Sequence, residues 1–516
     1  MRKAAQLIRD GLLLTAVALL MRGVGVAFQV FISNTAGSEA VGLYTVIGSV
    51  FGFAVTLATS GIQLGTTRMV SEEIGRCKTS DLRPVRRACF LYALGFGLFA
   101  SLLLFFLAEP IGVYLLKDAR TVRSLRILSL SLLPIALSSV MNGYFTAVRR
   151  VYKNAVTGVL SQALRMVLTA AMLLYLFPRG IENACIAMVV GSVISETASA
   201  LLLGLLLLLE RRKSSCAAPH GETRRHFKSL CGISLPLALS AYTRSGLLSL
   251  QHLMIPIGLT AFFGDRSLAL SRFGTLHGVV FPLILFPSAI VSSFAGLLVP
   301  EIAEERVQGA DGRIRRLALI VFRVTAAFSV GVAGIFLCFS SEIAARLQSP
   351  LDAAYYIRTF APLIPVMYLD TAVDAMLKGH GEQVYCMQVN ILDSFLSLVL
   401  VILLLPRFGI AGYLFTVYLT ELLNAALSVT RLLSVTRLRL PFLSVVLLPL
   451  LAVIGSTSVV RLLGGLGLLG GSLDVPMLVL LSALLYLVLL LMLGAARGDE
   501  MQTIRRAVRC GKCRSS

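Results

Sequence analysis

The chain has 516 residues, of which 57% are hydrophobic and 14% charged, with a net charge of +21. A soluble domain carries about 25% charged residues, so this composition excludes an ordinary globular enzyme and indicates a polytopic membrane protein. The positive charge does not mark a nucleic-acid binder, because the basic residues fall mostly in short loops between apolar runs.

A membrane crossing takes about 20 apolar residues. Stretches of that kind occur at roughly 11–32, 40–67, 88–108, 125–147, 155–176, 184–209, 230–257, 275–299, 317–339, 358–377, 384–405, 409–430, 441–463 and 474–495, about fourteen spans in all. The first run is too long for a signal-peptide core and contains Arg22, so it reads as a helix. Gln29 follows Arg22 by two helical turns and shares its face. The seventh run repeats the arrangement with Arg244 and Gln251. The tenth carries Asp370 and Asp374, four apart and again on one face. No loop is long enough for a soluble catalytic domain, the longest being roughly 210–229, so an enzyme is not expected.

Placing both termini in the cytoplasm puts most Lys and Arg inside. Lys117, Arg120, Arg123 and Arg126 fall outside on this topology, and contact with outer-leaflet head groups is the only account the sequence offers. The nine cysteines lie in helices or on the cytoplasmic side, which gives no disulfide framework. Cys510-Gly-Lys-Cys513 is a lone CxxC in a basic tail, without the second ligand pair a zinc site needs.

Internal similarity runs through the chain at a near-constant offset. Gly42 opens the second span and Gly274 the eighth; Ser71-Glu72-Glu73 matches Ala303-Glu304-Glu305; Glu196 in the sixth span matches Glu421 in the twelfth. The expected fold is all-α: a six-helix half over 1–213, a parallel six-helix repeat over 214–435, two additional helices within 436–496 and a basic tail over 497–516. Parallel repeats place substrate between halves near the midplane.

The stretches Gly37–Arg76 and Pro282–Glu305 resemble oligosaccharide flippases of the MATE/oligosaccharidyl-lipid/polysaccharide exporter superfamily. Within it the likeness is to the stage V sporulation protein B group, itself similar to the lipid II flippases. It covers about the first 435 residues through sequence and the last two helices by number alone. The resemblance implies a bacterial plasma-membrane protein, needing no cofactor, that carries an undecaprenyl-diphosphate-linked saccharide to the outer leaflet. Arg22 and Arg244 match arginines of a cationic cavity, with Arg165 a weaker match. Partners are then the lipid-linked saccharide and membrane lipids, with no nucleic acid and a monomeric state expected.

The residues themselves suit that reading. Guanidinium keeps its charge when desolvated and binds phosphate through paired donors, and Gln29 and Gln251 add amide groups for sugar hydroxyls. The competing reading pairs these arginines with a helix carboxylate. Asp370 and Asp374 either bind a proton or sodium ion, coupling transport to a gradient or the membrane potential, or neutralise an arginine. Arg323, Glu196, Glu421 and Asp393 carry less weight; His252 and His380 read as structural, and Asn142, Tyr144 and Tyr152 as ordinary interface residues. A multidrug antiporter of the same superfamily is the alternative within transport. A membrane polymerase using lipid-linked sugars is the alternative outside it.

Overall fold

A computed structural model describes residues 20–59, 61–76, 82–148, 150–176, 180–209, 222–346, 352–438, 447–465 and 475–492. The CxxC tail and residues 466–474, within the Leu/Gly-rich stretch between the last two expected spans, lie outside the described residues. All regular structure among the described residues is helical. In chain order the helices are α1 (residues 20–36), α2 (Ser38–Thr59), α3 (Ile62–Arg76), α4 (Arg83–Pro110), α5 (Arg120–Ala147), α6 (Val151–Leu176), α7 (Ile181–Leu208), α8 (Glu222–Phe263) and α9 (Arg266–Gly274). They continue with α10 (Phe281–Leu285), α11 (Ser288–Val307), α12 (Asp311–Cys338), α13 (Ser340–Arg346), α14 (Ala353–Phe360), α15 (Ile364–Gly379), α16 (Gln383–Thr436), α17 (Leu448–Gly465) and α18 (Val475–Met492).

Ten described helical stretches have the length and hydropathy to cross a membrane, and α17 and α18 add two shorter apolar helices. One of the ten, α16, runs for 54 residues and is broken at Gly409, whose φ of 56° and ψ of −133° no helix accommodates. Pro406 and Gly409 thus divide it near the boundary expected between the eleventh and twelfth spans. With α1, every one of the expected spans has a helix in its place, so the protein is an all-α, multi-pass membrane protein.

The described contacts sort the chain into two compact units. Their borders differ from those of the sequence halves: the first helix joins the unit holding 275–396 and 414–516, while α8, α9 and residues 397–413 join the unit holding 35–274.

In the unit that holds α2 to α9, small residues allow close helix packing. Gly97 of α4 faces Ala136 and Leu133 of α5, and Gly143 of α5 faces Thr66 of α3. A polar seam joins α8 to α2: Ser249 Oγ donates to the Ser49 carbonyl at 2.8 Å, and the Thr56 and Ser245 hydroxyls lie 3.0 Å apart. The lipid-facing side of α4 leaves Leu91, Leu94, Phe99 and Phe106 exposed, as a bilayer requires.

This unit also explains the basic residues that break the charge asymmetry. Asp118, in the turn before α5, accepts from Arg120 Nη2 at 2.8 Å and from Arg266 Nε at 3.4 Å. Arg120 reaches Glu39 of α2 at 3.2 Å, Arg123 pairs with Glu182 at 3.2 Å, and Arg126 with Glu109 at 2.9 Å. Carboxylates at the same helix ends thus pair with Arg120, Arg123 and Arg126, an account that the sequence alone does not offer. Burial pushes the Asp118 carboxyl up, but the hydrogen bonds and charge of Arg120, its backbone N–H and the Arg266 charge outweigh it and hold the group below the usual carboxylate range.

In the other unit, α11, α12, α15 and the last part of α16 enclose a core of Ile302, Phe322, Val373, Met376 and Leu432. Tyr368 is buried and donates to the Ile284 carbonyl at 2.6 Å. Helices α17 and α18 dock on α12, where Gly334 meets Val453, Gly331 meets Tyr486, and Tyr486 Oη donates to the Ala327 carbonyl at 2.6 Å.

Candidate functional site

The mid-span arginines are the first candidates. α1 is unbroken from residue 20 to 36, so Arg22 and Gln29 do share a face; Arg22 is exposed and Gln29 half-buried. Within its unit α1 lies beside α10 and α15, since Gly23 approaches Phe286 and the Arg22 charge acts on Tyr368.

Arg244 and Gln251 share a face of α8 in the same way, with Arg244 exposed. Gln251 differs from expectation in one respect: its Nε2 donates to Ser397 Oγ at 2.7 Å, so part of its amide is already engaged. No ion pair among the described residues involves Arg22 or Arg244. In an apolar span that leaves two guanidiniums without the carboxylate a structural role would supply.

Arg165 is half-buried on α6, and its charge acts on Glu196 of α7. The sixth-span glutamate thus has a cation beside it. Its repeat counterpart has other company among the described residues: Glu421 on α16 lies within electrostatic range of Asp393 and Asp370, both acids. Asp370 on α15 accepts from Asn424 Nδ2 at 3.2 Å, while its Oδ1 is buried with no hydrogen-bond partner among the described residues.

Asp374 pairs with Lys378 at 3.0 Å, and its charge acts on Asp370 one turn away. The structure therefore adds Asp393 and Glu421, from the two parts of α16, to the Asp370 and Asp374 of α15 that the sequence singled out. Helical spacing finds pairs on one helix; this cluster needs three segments packed together, and no local pattern announces it. Among the described residues no three such groups are close enough to hold a metal ion.

The other candidates are ordinary in placement. The His252 ring lies 6.4 Å from Phe273, and Arg306 donates to the His380 carbonyl. Burial and the Arg306 charge hold the His380 imidazole below its usual range. Tyr144 is buried, Tyr152 is exposed, and the Asn142 carbonyl accepts from Asn154 Nδ2 at 3.0 Å.

Comparison with known proteins places this arrangement. Stage V sporulation protein B of Bacillus subtilis (strain 168) is 25% identical over 418 residues, covering 78% of this chain and 79% of that one. Among solved structures, the lipid II flippase MurJ in an inward closed conformation superposes with a TM-score of 0.70 at 13% identity, covering 94% of this chain and 99% of that one. An inward-facing multidrug resistance MATE family transporter gives 0.64 at 14% identity, covering 81% and 96%. These two likenesses establish the fold. The family model described as "Polysaccharide biosynthesis protein" matches residues 7–304, more than half of the chain, and the chain belongs to that family.

Proposed function

We propose that this protein moves undecaprenyl-diphosphate-linked saccharide precursors, of peptidoglycan or another surface polysaccharide, across the bacterial plasma membrane by alternating access. The observation that carries the reading is the pair of exposed arginines on apolar helices, Arg22 and Arg244, neither tied to a described carboxylate. A diphosphate offers each guanidinium the charge-assisted, paired hydrogen bonds that its own helix does not. Gln29, and the part of Gln251 not bound to Ser397, supply amide groups toward sugar hydroxyls. Arg165 serves the same anion from α6 while Glu196 moderates its charge.

Asp370, with an unpartnered buried oxygen and three acidic neighbours in Asp374, Asp393 and Glu421, is the residue through which a proton gradient would couple to transport. Like charges in a buried cluster favour taking up a proton. Asp374, paired with Lys378, is a poorer coupling residue than the sequence alone suggests. Both termini lie in the cytoplasm on this reading, from the excess of basic loops on that side.

The same acidic cluster favours a second reading, a multidrug antiporter in which carboxylates receive a cationic drug. Transport in proteoliposomes separates the two. Uptake of a labelled undecaprenyl-diphosphate saccharide without uptake of a cationic dye supports the flippase, and the reverse supports the antiporter.

A further inference from the structure

Away from the mid-span arginines, the start of α4 carries a feature that substrate transport leaves unused. A groove of about 500 Å³ is lined by Arg86, Arg87, Phe90, Leu91 and Leu94 of α4 and by Leu137 of α5. Its volume falls within the range of small-molecule sites, about 300–1,000 Å³. Chemically it has two parts: a pair of guanidiniums at one end and an apolar trough running from them along the helix. Leu91 and Leu94 are about half exposed, so the trough opens toward the hydrocarbon and is not sealed inside the protein.

Among the described residues the charges at the head of the groove have no ionic partner. Neither Arg86 nor Arg87 is ion-paired with a described carboxylate, and the first turn of α4 contains no acidic residue. Arginines without a carboxylate, above an apolar channel and at the edge of a span, complement an amphiphile with an anionic head. The adjoining helix ends carry Arg68, Arg76 and Arg83 beside Arg86 and Arg87, which by the charge asymmetry of the chain puts this end at the cytoplasmic leaflet, where anionic lipids concentrate.

We infer that this groove holds an anionic diacyl phospholipid of the cytoplasmic leaflet, its phosphate between Arg86 and Arg87 and an acyl chain along Phe90, Leu91, Leu94 and Leu137. The site is separate from the transport reading and stands or falls independently of it. A resident lipid here fills the seam between α4 and α5 and makes the protein sensitive to the anionic content of its membrane.

The chain contains no tryptophan, so one introduced indole reports a single place. Full-length protein carrying Leu94→Trp is reconstituted into vesicles containing either a brominated-acyl phosphatidylglycerol or a brominated-acyl phosphatidylcholine. At about fivefold per arginine, phosphatidylglycerol should quench at a mole fraction roughly 25-fold lower. Arg86→Gln with Arg87→Gln should remove that preference. Arg87→Gln alone, at an exposed position, should remove about fivefold. Leu201→Trp, on the lipid-facing side of α7, should show none. Equal quenching by the two lipids at Leu94→Trp overturns the proposal, as does a preference that survives both Gln substitutions. Displacement by water-soluble glycerol phosphate would show an anion site without a chain, and displacement by undecaprenyl phosphate at low mole fraction a substrate-loading site. Either result also overturns it, and neither displacement is expected.

Discussion

Gly42 of α2 and Gly274 of α9, 232 positions apart in the chain, lie backbone against backbone. A Cβ at Gly42 would overlap the Leu270 carbonyl oxygen, and one at Gly274 would overlap the Ser38 carbonyl oxygen. The hydroxyls of Ser38 and Ser271 hydrogen-bond across the same seam, and Ser267 donates to Glu39 beside it. These are the two glycines that the internal similarity pairs as the openings of the second and eighth spans.

Either glycine should therefore resist even a methyl group. Gly42→Ala or Gly274→Ala is expected to destabilise the protein by about 1–3 kcal/mol through overpacking against backbone. Gly48→Ala, in the same helix as Gly42 with no atom within 4 Å of its Cβ position, should be neutral or slightly stabilising. Denaturation midpoints of the purified variants check this; equal midpoints for Gly42→Ala and Gly48→Ala would rule out the close seam.

A second expectation concerns acid. The Asp118 carboxyl is held below its ordinary range in the fold, so its contribution is complete above the unfolded value of about 3.9. It is lost as pH falls through the lower folded value. Asp118→Asn should destabilise by about 1–3 kcal/mol at neutral pH, a reduced figure because Arg120 and Arg266 are about a third exposed. It should also flatten the loss of stability on the acid side. Chemical denaturation at a series of pH values measures both; an unchanged acid limb in Asp118→Asn contradicts the assignment.

What the chain reveals without its structure depends on distance along it. The spans are readable, because a run of apolar residues long enough for the bilayer needs no tertiary context, and the PRFG sequence from Pro406 to Gly409 already marks the break in α16. The partners of Asp118 are not: Glu39 and Arg266 arrive from other helices, so Arg120 looks like a misplaced cation. Gln251 reads correctly as facing with Arg244, yet its bond to Ser397 joins residues 146 apart. Asp370 and Asp374 are visible as neighbours on one helix, but Asp393 and Glu421 reach Asp370 only through packing of α15 with α16. Grouping of the first helix with the later part of the chain is likewise invisible to repeat offsets.

The proposed coupling role rests on Asp370 more than on Asp374. Asp370→Asn should lower gradient-driven transport about tenfold or more and remove its response to an imposed pH difference, since a buried ionisable group within a span is lost. Asp374→Asn should keep most of both, because Asp374 is bound to Lys378. Transport into vesicles with and without a pH gradient distinguishes them; the opposite ranking would return the coupling role to Asp374.

Helices α17 and α18 fasten to α12 through Tyr486, Gly331 and Gly334, leaving Leu451, Ile454, Leu462, Leu480 and Leu484 exposed. These apolar faces are proposed to flank a path for the long polyprenyl tail, continuous with the bilayer. Single cysteines placed at Leu451 and at Leu462 should cross-link a photoreactive lipid-linked substrate. A chain truncated after about Arg439 that folds and transports long-chain substrate at full rate would remove these helices from the path.

Arg22 and Arg244 carry the proposed transport function, and their alanine variants are the sharpest test of it. Full-length protein is reconstituted in proteoliposomes with a labelled undecaprenyl-diphosphate saccharide, and its appearance in the opposite leaflet is timed. Each substitution removes a charge-assisted phosphate contact and should slow transport roughly 10- to 100-fold, with normal insertion and abundance. Lysine should restore only part of the rate, keeping the charge but losing the paired donors. Wild-type rates in both Arg22→Ala and Arg244→Ala would contradict a cationic binding site for the diphosphate.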